Sequence, residues 1–418
     1  MRKIYVILTG IIYDIGGGQI YVNNKRDYLQ KKGWEVHIFS YRYGKAIRIN
    51  ELNQYKNNIF RELKYPPCLL SEKSRIKFIN YIIGKIENEV KINTHDEIII
   101  ESNTISVSMW GELIANKLNC KHISYLLYER FPKFSLSILK YLDFKHKRKE
   151  LAGIIPESLN KLFNGYKTLP DDEKYYLKAC VGNVVGDVDE QLVDNLTPLD
   201  FNIGCLSRLE KPFIMTLIRN IVTFANKYQG KKILLLFIGD SSNEIVKKNI
   251  ITKFRSVKNV ELVMLGAMYP VPKKIFSRMD IFFASAGAAS ICAHYGALTA
   301  SIDVNTHKPI GYLGYDTDQT LYGDPNSNKS IFSVIEDILI KKNIPSRDNN
   351  YRFELIDYQL EFDKHMQFIA SSDQNKKYYL GVSIAATNRK YFILKTLSKF
   401  IGFRGCIVLH RLYRWLTF

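Results

Sequence analysis

Ile281-Phe282-Phe283-Ala284-Ser285-Ala286-Gly287-Ala288-Ala289-Ser290 is the stretch that decides how the chain is read. A short apolar run meets a block of small residues. A helical-looking segment follows to Gly296, then a second apolar run over 298–302 and a polar stretch over 303–307. The order is strand, small-residue turn, helix, strand. Such a turn lets a ligand approach the backbone, and a helix N-terminus offers free N–H groups to an anion. The same residues equally suit an α/β crossover that needs small side chains for packing. On these residues alone both readings stay open.

The alternation extends in both directions. Toward the N-terminus, 4–8 reads as a strand, Gly16-Gly17-Gly18 as a loop and 19–32 as an amphipathic helix stopped by Gly33. A second strand follows over 34–39. The dinucleotide fingerprint G-x-G-x-x-G is absent, and this strand ends at Ser40-Tyr41 without the carboxylate that would hold a ribose, so an NAD site is set aside. Helices are expected over 74–90, 105–118 and 134–150, and strands over 97–100, 122–127 and 151–155. Composition turns polar and acidic over 185–199, which reads as a domain linker. The pattern then restarts. Strands are expected over 201–205, 232–238 and 260–265, and helices over 212–228, 271–278 (short), 330–342 and 355–370. Strands alternating with helices mean a parallel sheet covered on both faces.

The chain has 418 residues, 46% hydrophobic and 24% charged, enough for two globular domains. No apolar run is long enough to span a bilayer and no signal-peptide pattern opens the chain, so a cytosolic location is expected. The six cysteines are scattered with no CxxC pair, which suits reduced thiols. The net charge of +19 calls for a polyanionic partner. From 374 to 418 there is no Asp or Glu, and Lys and Arg alternate with Tyr, Phe, Trp and Leu. That mixture suits an anionic membrane surface, although a basic helix packed on the body would look the same. Nucleic acid is not expected, because no recognised binding signature is present.

Four blocks in the second half carry a resemblance. They are 203–211 (Ile-Gly-Cys-Leu-Ser-Arg-Leu-Glu-Lys), 234–240 ending in Gly239-Asp240, 260–266 ending in Leu265-Gly266, and 279–285. Together they resemble the donor domain of retaining, nucleotide-sugar-dependent glycosyltransferases of the GT-B architecture, family 4-like and of the bacterial polysaccharide type. The resemblance implies an α/β fold of two Rossmann-like parallel-sheet domains facing a cleft. An acceptor domain would span 1–190, a donor domain 200–365, and crossover helices with a helical basic tail 366–418. It also implies site residues. Arg208 and Lys211 would neutralise the donor diphosphate, and the amides of Gly287, Ala288, Ala289 and Ser290 would hold its oxygens. Ala267 and Met268 would border the base, and Gly16, Gly17 and Gly18 would face the site. Family members also carry a pair of glutamates around the donor loop. Here 284–302 holds no acidic residue; the two positions fall near Ala288 and Gly296, or the second near Ile291, depending on the anchor. Asp303, His294 or Asn305 could grip a hydroxyl instead.

Other chemistries leave weaker traces. Asp187-Val188-Asp189 and Asp316-Thr317-Asp318 could hold a divalent cation, but neither follows a strong strand, so no metal or cofactor is assigned. HExxH, Walker and G-x-S-x-G motifs are absent. His122 and Glu129, near a strand of the first half, are candidate catalytic groups, with a core histidine as the plain alternative for His122. The expectation is a glycosyltransferase, peripheral at the inner face of the membrane, acting from a nucleotide-sugar donor onto a lipid-linked or polysaccharide acceptor. A non-catalytic subunit of the same architecture and a nucleotide-sugar epimerase are the alternatives.

Overall fold

The computed structural model describes residues 2–416 apart from 45, 90, 91, 94, 129–131, 164, 242 and 347–355, with side chains up to 410. Two compact units divide the chain: one of 1–13, 21–180 and 357–418, the other of 14–20 and 181–356.

The first unit is built on β1 (Lys3–Leu8), α1 (Gly17–Lys31), β2 (Glu35–Phe39), α2 (Glu72–Glu89), β3 (Glu97–Ser102), α3 (Ile105–Leu118), β4 (Lys121–Tyr125), α4 (Leu136–Lys147), β5 (Leu151–Ala152) and α5 (Pro156–Phe163). The strands form one sheet in the order β2-β1-β3-β4-β5, all parallel. Parallel strands need crossovers, and the helices supply them and cover the sheet. Ile4, Val6, Leu8, Ile98 and Ile100 therefore lie in one core with Trp110 of α3, whose indole N–H reaches Tyr65 O at 2.8 Å.

The second unit contains β6 (Val185–Gly186), α6 (Glu190–Asp194), β7 (Phe201–Leu206), α7 (Phe213–Lys227), β8 (Ile233–Ile238), α8 (Glu244–Phe254), β9 (Val260–Gly266), β10 (Val271–Pro272), β11 (Ile281–Ala284), α9 (Gly287–His294), β12 (Thr299–Ile302), β13 (Pro309–Tyr312) and α10 (Ile331–Leu339). Its main sheet runs β13-β12-β11-β7-β8-β9, parallel except for β13 at the edge. β8 is Ile-Leu-Leu-Leu-Phe-Ile and is buried along its whole length, as a central parallel strand must be. Two local expectations fail. Residues 271–278 are not an α-helix: Val271-Pro272 pairs with β6, and a 3-10 turn, Lys273–Ser277, follows. The Val271 N–H reaches Val184 O at 2.8 Å, so the segment opens in a strand pairing in place of a helix turn. Residues 185–199 are not a bare connection either, since they carry β6 and α6.

The chain ends in the first unit with α11 (Tyr358–Ser371) and α12 (Arg389–Leu416). α11 lies on α1, where the Tyr28 hydroxyl donates to Asp363 at 2.6 Å. α12 breaks at Gly402, at φ 67° and ψ 177°, so it is two helices in series. Leu394, Cys406 and Val382 join the first unit's core. All six cysteines are free and buried.

Candidate functional site

β7 and β11 are neighbours in the second sheet, with Ile281 opposite Ile203 and Phe283 opposite Cys205. Their C-terminal ends therefore deliver two sequence-remote turns to one place: 207–211 and 285–287. Open α/β sheets bind ligands at this edge. The Lys211 ammonium donates to Ser285 Oγ at 3.1 Å. Arg208 is exposed beside it. A Cβ added to Gly16 would stand 3.3 Å from Arg208 Cδ, so the glycine keeps room for that side chain. Gly17 stands against Val181, and Gly18 meets nothing within 4 Å.

Gly239 closes the other side of the 207–211 turn. Its φ is 148°, its N–H reaches Gly266 O at 2.7 Å, and a Cβ there would lie 1.8 Å from Ser207 O. Only glycine fits. The Leu209 N–H then reaches Asp240 O at 3.2 Å. The Gly-Asp pair after β8 thus shapes the basic turn.

Ala286 starts α9 in a backbone region that side chains avoid, φ 55° and ψ −140°. Its N–H is held by Thr320 O at 2.7 Å. Its carbonyl accepts the N–H groups of Ala289 and Ser290, at 3.0 and 3.3 Å. Those two amides are spent inside the turn, which corrects the expectation that four amides point to a ligand. The first-turn amides left over are those of Gly287 and Ala288. A Cβ on Gly287 would press on Val181 at 2.9 Å. Ala267 and Met268 follow β9; Met268 O accepts the Asn183 side-chain amide at 3.4 Å.

Asp303 is placed differently from the expectation. It is buried, and its carboxylate accepts N–H groups from Asn305 and Thr306 on one oxygen and from Gly323 on the other, each at 2.7 Å. Burial alone would raise its pKa, but these amides hold it below the ordinary carboxylate value. Buried and engaged on both oxygens, Asp303 braces the loops. His294 and Asn305 are exposed. Asp316 is likewise engaged, by the Tyr312 amide and Lys329.

The architecture recurs in solved structures across most of the chain. HepE from Anabaena, in complex with UDP-glucose, matches with a TM-score of 0.58 at 11% identity, over 87% of this chain and 99% of that one. An α,α-trehalose-phosphate synthase (UDP-forming) from Burkholderia xenovorans, in complex with glucose-6-phosphate, matches at 0.51 and 10% identity, over 88% and 100%. The fold is GT-B. No protein-family model and no curated protein sequence matches the chain.

In the first of the two GT-B units, His122 is a core residue. It is buried, with Nδ1 2.8 Å from Glu112 Oε2 and Nε2 3.0 Å from Ser102 Oγ. Lys145 completes the group, donating to Glu112 at 3.0 Å, Glu150 at 2.7 Å and His122 O at 2.6 Å. The Tyr379 amide takes the other Glu112 oxygen at 2.8 Å. Burial and the Lys145 charge push the imidazole down to about 4, so it is neutral near pH 7. Buried and with both ring nitrogens engaged, His122 is a brace in place of the expected catalytic group. Glu129 lies outside the described residues.

Sequence reading weighed Asp318 only within a D-x-D pair and missed that the 317–323 segment reaches the start of α9. Only a long-range hydrogen bond, Ala286 to Thr320, brings it to the start of α9, and no local pattern announces such a bond.

Proposed function

We propose that the chain is a metal-independent glycosyltransferase that moves a sugar from a nucleoside diphosphate to a lipid-linked or growing polysaccharide acceptor. One observation carries the reading. Lys211, held on Ser285 Oγ, and the exposed Arg208 of the same turn lie at the C-terminal edge of a parallel sheet where α9 begins. When the anomeric C–O bond breaks, the leaving diphosphate gains charge. Two fixed cations and a helix N-terminus lower that cost without a metal. In the retaining course the acceptor oxygen bonds the anomeric carbon on the face that the diphosphate leaves, and its proton passes to the departing phosphate oxygen. UDP-glucose in the HepE structure agrees with a nucleotide-sugar donor.

The enzyme would work as a peripheral protein at the inner face of the membrane, with 374–418 against anionic lipid. Among the described residues no helix is long and apolar enough to cross a bilayer. Transfer and hydrolysis assays with a panel of nucleotide sugars test the activity; binding without turnover for every donor and acceptor would sink it. That outcome is the second reading, a non-catalytic subunit. It is favoured by the absence of acids over 284–302 and by the engagement of Asp303.

A further inference from the structure

A donor site with no carboxylate near its sugar is chemically incomplete, because sugar hydroxyls are donors that need acceptors. The donor loop supplies none, and Asp303 is spent on backbone amides. We propose that Asp318, with Gln319 beside it, grips the hydroxyls of the transferred sugar and stands in for the missing acids. The inference rests on the donor reading above.

The placement comes from the tertiary structure. Thr320 O accepts the Ala286 N–H at 2.7 Å, tying this loop to the residue that starts α9. Asp318 is two residues away, so its Cα is within roughly 7 Å of that of Thr320. A diphosphate held by the Gly287 and Ala288 amides carries its hexose one bond further on, against the rim that 318–320 forms. The loop is a firm support. Thr317 bridges Leu313 and its carbonyl accepts the Gly314 N–H at 2.8 Å. Its hydroxyl accepts the Gln319 N–H at 3.0 Å, and the Val304 N–H reaches Leu321 O at 3.0 Å. Preorganised supports of this kind make a weak polar contact specific.

The side chains suit the task. Asp318 is exposed, and among the described residues only Gln319 engages its carboxylate, through Nε2 at 2.8 Å. Asp316, two positions earlier, is held by Tyr312 and Lys329. A carboxylate beside a carboxamide offers acceptors and a donor together, which matches adjacent hydroxyls.

Isothermal titration calorimetry tests this with UDP, GDP and dTDP, each free and as its hexose conjugate. The wild type should bind one conjugate more tightly than its free nucleotide. Asp318→Ala should remove about tenfold of that margin, as loss of a hydrogen bond to a charged group does, and leave free-nucleotide affinity within about twofold. Gln319→Ala should remove a smaller part. An unchanged melting temperature shows that the fold is intact. An undiminished margin in Asp318→Ala overturns the assignment, as does a wild type with no margin. Equal loss for free nucleotide and conjugate also overturns it, since Asp318 would then act on the phosphate site. A wild type that binds none of the six ligands fails the donor reading itself.

Discussion

Gly239 and Ala286 both hold glycine-like backbone conformations beside the site, one with a glycine and one with an alanine. Gly239 occupies a position where a Cβ would strike Ser207 O at 1.8 Å. Gly239→Ala should therefore destabilise by about 3 kcal/mol, because the obstacle is backbone and cannot rotate away. Denaturant unfolding measures it, and a loss under about 1 kcal/mol would reject the account. Ala286 pays for a glycine-like conformation with an alanine. Ala286→Gly should stabilise by about 1 kcal/mol as the strain is relieved, read as a raised melting temperature. A lowered melting temperature would show that the methyl group packs usefully. Arg208→Ala with Lys211→Ala should lower kcat on the order of a hundredfold with a smaller change in KM, since the charge they meet is largest in the transition state. Full activity in the double variant would remove the diphosphate assignment. The four sequence blocks announced Arg208, Lys211 and Gly239. They did not show that Asp303 is engaged on both oxygens, because the Gly323 amide that fills the second lies twenty residues along the chain.

α3, α4 and β4 meet at the buried Glu112–His122–Lys145 group, which gives the first unit an acid limit. Burial pushes the Glu112 carboxyl up, but Lys145, His122 and the Tyr379 amide outweigh it and hold it at about 2. His122 is lowered to about 4 by burial and Lys145. Both folded values lie below the unfolded ones, about 6.5 for histidine and about 4.3 for glutamate. Their stabilisation is fully present above pH 6.5 and falls away as the unfolded state takes up protons, first between about 6.5 and 4 and then down to about 2. Melting temperature should fall across that window. In His122→Gln the fall should begin nearer pH 4.3; an unchanged profile would exclude His122 as its source. Element types were legible here, because apolar periods of two and 3.6 residues mark strands and helices whatever their partners. The 271–278 segment misled, since its first two residues pair with a strand that only the fold brings near.

At the scale of the whole chain, the acid-free 374–418 segment presents two faces. Part of it is core: Val382, Leu394 and Cys406 are buried with Trp110, and the Tyr65 ring meets Tyr391 and Phe403. The other face is apolar and open, with Phe392 63% and Phe400 83% exposed. Deleting everything after 373 should therefore lower stability as well as membrane binding, which makes it a poor test. Phe392→Ser with Phe400→Ser leaves the core untouched. It should cut cosedimentation with phosphatidylcholine vesicles containing phosphatidylglycerol by about tenfold or more, with the melting temperature unchanged. Wild-type-like binding by this variant, or no binding by the wild type, would reject the membrane role.

By itself the sequence determined that the chain is α/β, that its strand–helix pattern runs twice, and that a strand–small turn–helix unit follows a basic turn at Arg208 and Lys211. Those features are local: they follow from periodicity, from glycine and from fixed charge, and need no partner to be visible. Tertiary structure alone decided that the Ala286 amide is held by Thr320, that Asp303 is tied to Gly323, and that His122 is a brace between Glu112 and Ser102. Each of these depends on a partner that lies far along the chain, and that is settled only when the strands take their places in the sheet.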